Sequence, residues 1–71
     1  MYKSLLLRVG VMIRQLRRRK GLSQLDLSHL AHMDRSYLSE VENGKRNISL
    51  SSLVRIAQAL DVSAEILIDK G

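Results

Sequence analysis

The chain contains no cysteine, no proline, no tryptophan and no phenylalanine. Without cysteine there is no disulfide framework and no thiolate metal site, which suits a reducing compartment. Tyr2 and Tyr37 are the only aromatic residues. Runs of β-branched residues are few, and the abundance of Leu, Arg, Ser and Ala favours helix over sheet. No apolar stretch approaches the ~20 residues that cross a bilayer. Leu5 to Leu7 is followed at once by Arg8 and is too brief for a signal-peptide core of about 7–15 residues. The expectation is a cytoplasmic protein with no membrane partner. Internal repeats, low-complexity segments and Gly-, Pro- or Ser-rich linkers are also missing, so residues 1–71 are expected to form a single domain. A chain of this size buries a modest core, which gives contacts with a second copy a share in its stability.

Acidic residues are scarce in one half. Residues 1–35 carry eight Lys and Arg side chains against two acids, whereas residues 36–71 carry four against five. One side of such a molecule attracts a polyanion. The same charge also suits a solvated helix face.

Hydrophobic spacing divides the chain into about five helices. The first runs from about Ser4 to Lys20, with Leu6, Val9, Ile13 and Leu16 on one face and Lys3, Arg14 and Arg18 away from it. Its last turn is basic and Gly21 follows as a stop. Ser23 caps the second helix, with Asp26 three residues on, and Leu27, Leu30 and Ala31 face inward. Asp34 opens the third helix, Leu38 and Val41 line its inner face, and Asn43-Gly44 closes it. Ser49 caps the fourth helix, whose buried side is Leu53, Ile56, Ala57 and Leu60. Asp61-Val62 makes a turn and Ser63 caps the fifth. That last helix has more apolar positions than it can bury alone, and such surface often marks a partner site.

Ser23 to Asn43 meets the steric demands of a helix-turn-helix. Where the two helices cross, a small residue is needed, and Ser28 sits there. The turn needs a residue that tolerates positive φ, and His32 occupies it. Met33, Leu38 and Val41 supply apolar anchors for the turn and the second helix.

From about Val9 to Leu67 the chain resembles the phage-repressor type of helix-turn-helix family, the five-helix repressor and xenobiotic-response-element-like domains. The resemblance is carried by Arg17, Gly21-Leu22-Ser23-Gln24, Leu27, Leu38-Ser39, Glu42-Asn43-Gly44-Lys45-Arg46, Leu53 and Ile56 to Ser63. Asp34-Arg35-Ser36-Tyr37 and Arg46-Asn47-Ile48 are similar, more closely, to the controller proteins of restriction–modification systems. Ser28 stands where the family usually has Ala, His32 where it has Gly, and Leu25 where it has a polar residue.

The resemblance implies an all-α, compact five-helix DNA-binding domain, with its helix-turn-helix at about 23–43 and a dimerisation surface at about 50–71. Arg35, on the first turn of the recognition helix, is expected to read guanine O6 and N7 as a bidentate donor, with a phosphate contact or a solvated side chain as the alternative. Ser36 is expected to face DNA beside it, Ser39 to meet a phosphate, and Tyr37 to touch a thymine methyl or a phosphate, with packing at the rim of the core as its alternative. Gln24, at a helix N-terminus, is expected to hold a phosphate. Lys45, Arg46 and Asn47 are expected to follow the backbone, with Ser52 as a further phosphate contact. Arg17 and Glu42 are expected to form a structural ion pair. Leu50, Val62, Ile66, Leu67 and Ile68 are expected at a homodimer interface, with core packing as the alternative for each.

Double-stranded DNA with a pseudo-palindromic operator is therefore the expected partner, joined by RNA polymerase in an activating role. The alternatives are a phage-type repressor or antitoxin-type autoregulator, a protein-interaction module without DNA binding, and a membrane-surface peptide using the basic first helix. His29 and His32 are three apart but lack a third ligand, so no metal site is expected. Neither a Ser-His-Asp order, a Gly-rich phosphate loop nor paired acids support catalysis. No enzyme and no cofactor are expected.

Overall fold

The computed structural model describes residues 2–68. It contains five helices: α1 Tyr2–Arg19, α2 Gln24–Leu30, α3 Arg35–Glu42, α4 Leu50–Leu60 and α5 Ala64–Ile68. α1 packs against α3, α4 and α5, and α2 packs against α3 and α4. Val9 and Ile13 of α1 meet Leu27, Ala31, Leu38, Val41, Leu53, Ile56, Ala57, Leu60 and Leu67 in one core. The apolar spacing of three and four is what gathers these side chains, because each helix then presents one stripe inward. Leu6 and Leu16 lie half-buried at the ends of the α1 stripe.

Gly10 sets the closest approach between helices. A Cβ at this position would stand 2.5 Å from the carbonyl oxygens of both Val41 and Glu42. Only a glycine lets the backbone of α1 come this close to the end of α3.

Helix starts follow the capping rules unevenly. Ser23 Oγ accepts from the Asp26 N–H at 2.9 Å, while the Ser23 N–H donates to Asp26 Oδ2 at 3.0 Å. This closes a capping box. The Ser23 N–H, with the Ser23 side chain second, holds the Asp26 carboxyl below its ordinary pKa. Ser49 Oγ likewise accepts from the Ser52 N–H at 3.1 Å. Asp34 occupies the N-cap of α3 in extended conformation but makes no side-chain capping bond.

Helix ends share one device. Gly21, His32, Gly44 and Asp61 all have positive φ, at 70°, 56°, 70° and 58°. In each case the next residue's N–H returns to a carbonyl five residues back: Leu22 to Arg17, Met33 to Ser28, Lys45 to Glu40 and Val62 to Ala57. These are Schellman caps. The turn between α2 and α3 is therefore a helix cap with His32 in the place that glycine usually takes.

Two assignments of helix faces need correction. Leu30 is 55% exposed, because α2 ends there and the next turn buries Ala31 instead. Arg14 does not point away from the fold, since it reaches the end of α3 (below). The last three residues of the expected 50–71 surface lie outside the described residues.

Candidate nucleic-acid interface

α3 is two turns long, and its two sides differ. Leu38, Val41 and Glu42 are buried. Arg35, Ser36 and Glu40 are exposed, with Ser39 half-buried between them. Spacings of one, four and five put these four on one outward strip. Tyr37 lies half-buried at the strip's edge, packed on the core.

The loop after α3 carries Lys45, Arg46 and Asn47, all exposed. Gly44 begins it with its positive φ, and a Cβ there would stand 2.6 Å from Leu7 Cδ2. The loop is thus seated against the first turns of α1. Arg46 folds back over α3: its Cζ stands 5.2 Å from the Tyr37 ring centroid. Its Nε and Nη2 both donate to Glu40 Oε1, at 3.0 and 2.6 Å.

Behind the strip lies a buried anchor. Glu42, with its side chain 0% exposed, accepts from Arg17 Nε at 2.6 Å and Arg17 Nη2 at 3.0 Å. Gln24 Nε2 donates to the same carboxylate at 3.0 Å, and Arg14 Nε lies at 3.4 Å. Arg14 Nη2 also donates to Asn43 Oδ1 at 2.8 Å. Burial pushes the Glu42 carboxyl up, but the bonds from Arg17 and Gln24, the Arg17 charge and the Arg14 bond together outweigh it. Its pKa lies below the ordinary value. The carboxylate ties α1, α2 and α3 together at the base of the strip.

Three of the expected site residues have further partners in the fold. One N–H of the Gln24 amide is committed to Glu42, which leaves the second N–H and the start of α2 for the expected phosphate. Ser52 is 5% exposed. Its hydroxyl oxygen accepts from Ser49 Oγ at 2.9 Å and Arg55 Nη2 at 3.2 Å, which ties it into the start of α4. Leu67 is 1% exposed and belongs to the core, whereas Leu50, Ile66 and Ile68 are 75%, 42% and 47% exposed. Val62 is half-buried against the core.

Three participants escaped the sequence reading. Arg14 could have been found, because it lies three residues before Arg17 and so shares its helix face. Arg55 reaches from α4 to the His32 carbonyl oxygen, donating from Nη1 at 3.1 Å, and so braces the turn. Glu40 carried no signal in sequence beyond its place on α3. Among the described residues no helix is long and apolar enough to cross a membrane, and no group of three His, Cys, Asp or Glu is arranged to hold a metal.

Residues 13–67 match the family model described as Helix-turn-helix. The control protein C.BamHI of Bacillus amyloliquefaciens is 38% identical over 61 residues, covering 84% of this chain and 75% of that protein. The immunity repressor protein of Bacillus phage phi105 is 35% identical over 60 residues, and the match spans 84% of this chain but 42% of the repressor. Among solved structures, the restriction–modification controller protein C.AhdI of Aeromonas hydrophila superposes with a TM-score of 0.86 at 45% identity, over 87% of this chain and 94% of that one.

Proposed function

This chain belongs to the helix-turn-helix family of DNA-binding transcriptional regulators, and we propose that within it the protein is a dimeric controller of a restriction–modification system. One observation carries the DNA-reading part: the outward strip of α3 opens with Arg35, which is exposed and, among the described residues, bonded to no other side chain. Its guanidinium is free to donate two bonds to guanine in a major groove. Ser36, Tyr37 and Ser39 flank it, and Lys45, Arg46 and Asn47 follow the phosphates from the adjoining loop. The buried Glu42 cluster fixes the helix so that these side chains arrive together.

Two copies would associate through the exposed Leu50, Ile66 and Ile68, with Val62 at the edge. A two-fold dimer sets two α3 helices about 34 Å apart, matching half-sites one duplex turn apart. The similarity to C.BamHI and C.AhdI supports the controller role. In that role the protein binds upstream of its own gene and a nuclease gene, activating through RNA polymerase at low dose and repressing at high dose. The phage immunity repressor favours a second reading, a repressor of similar architecture. Either regulator acts where the DNA is, in the cytoplasm of a bacterial cell.

The test is selection of duplexes from a random-sequence library, followed by titration of the Arg35→Ala variant. A two-fold motif should be enriched. Arg35→Ala should weaken binding to it by about 1–3 kcal/mol and leave the salt slope on unrelated DNA nearly unchanged. Equal loss on every duplex would sink the base-reading role.

A further inference from the structure

Glu40 stands where a DNA-reading helix has least use for a carboxylate. It is the one acid that α3 carries on its exposed side, since Glu42 is buried. It holds Arg46 through two donors on one oxygen, with Tyr37 beneath the guanidinium. The pair is open to water, with side-chain exposures of 50% for Arg46 and 49% for Glu40. An ion pair this exposed is weak and exchanges readily with other partners.

We propose that Glu40 is a specificity-determining residue, which withholds Arg46 from indiscriminate phosphate contact; the proposal rests on the DNA-binding reading of α3. Non-specific binding is almost wholly neutralisation of phosphates by Lys and Arg. Glu40 subtracts from it twice, by its own charge and by occupying two of the Arg46 donors. Binding to a chosen sequence adds base contacts through Arg35, which Glu40 does not touch. On that sequence Glu40 has a compensating use. The two bonds to Glu40 and the Tyr37 ring beneath bias Arg46 toward one orientation that leaves its Nη1 edge unused by Glu40, so less freedom is lost on docking. The carboxylate therefore costs affinity on DNA at large and returns part of it on the correct site. The ratio between the two rises.

The experiment uses the full chain and two duplexes, the sequence that it enriches from a random library and a scrambled duplex of the same composition. Glu40→Gln should bind the scrambled duplex about three- to fivefold tighter, the range that one exposed pair can supply. Its salt slope there should steepen by about 0.9, the signature of one added phosphate contact. Binding to the enriched duplex should change by less than about twofold. Most of the gain on the scrambled duplex should disappear in an Arg46→Ala background, leaving only the part due to the lost charge of Glu40. Glu65→Gln, which removes an acid from α5, should leave the ratio unchanged. An equal gain on both duplexes would overturn the proposal, leaving Glu40 a plain negative charge. So would a loss confined to the enriched duplex, which would make Glu40 a reader of a base. A gain that is undiminished without Arg46 would overturn it as well. If the unaltered chain binds no duplex, the DNA reading falls and the proposal with it. If the chain binds and the ratio does not move, only the Glu40 proposal falls.

Discussion

Arg17 holds Glu42 across the α1–α3 contact with two bonds, Nε to Oε2 at 2.6 Å and Nη2 to Oε1 at 3.0 Å. Removing either partner leaves the other charge buried. Glu42→Gln or Arg17→Ala should therefore cost about 3–5 kcal/mol, comparable with the whole stability of a small domain. The pair also makes a statement about pH. The folded-state carboxyl of Glu42 titrates below its ordinary value of 4.5. Its contribution is complete above that pH and is lost as pH falls through the lower folded value. Thermal melting followed by circular dichroism should show Tm falling in acid. The fall should be shallower in the Glu42→Gln variant.

Gly10→Ala tests the closest backbone approach. Helix propensity alone would favour Ala by about 1 kcal/mol. The new methyl would meet two carbonyl oxygens of rigid backbone at 2.5 Å, and overpacking of this kind costs about 1–3 kcal/mol or more. Net destabilisation is expected, read as a lower urea midpoint with unchanged m. A stabilised variant would show that α1 and α3 separate easily.

His32→Gly should have the opposite sign. A left-handed conformation costs a non-glycine residue roughly 1–2 kcal/mol, and glycine returns about 0.4–1 of that through a freer unfolded chain. A gain of about 0.5–1 kcal/mol is expected. The Arg55 bond should survive, because it uses the backbone carbonyl of His32. Denaturant titration reads the gain directly.

Neighbours on α5 should behave differently. Leu67→Ala opens a cavity in the core and should cost about 2–5 kcal/mol. Ile66→Asp places a charge on a side chain that is 42% exposed, so the fold should persist. Sedimentation should then show association lost. Unchanged association in Ile66→Asp would exclude that face as the interface.

The sequence was legible wherever one local rule decides. Ser23, Ser49 and Gly21 mark helix boundaries through chemistry that acts within a few residues. His32 was identifiable as the positive-φ turn because helix patterns on both sides force a reversal there. Leu67 could not be separated from Ile66 and Ile68, since one turn of apolar residues does not say which one meets α1. The candidate site divides in the same way. Arg35 and the Lys45–Asn47 loop follow from motif position, whereas the partners of Gln24 and Ser52 depend on which side chain from another turn or helix arrives first. Arg55 and Glu40 became visible only when their neighbours did.

The length of α3 bounds what the molecule can distinguish. Eight residues at 1.5 Å each make a rod of about 12 Å, which faces about three or four base pairs of duplex. Four fully read positions give an address space of roughly 256 words, while a genome offers on the order of a million or more competing positions. A single copy would therefore find its word thousands of times over. Reading two words at a fixed spacing squares the vocabulary, and weak penalties for wrong addresses then matter as much as strong rewards for the right one.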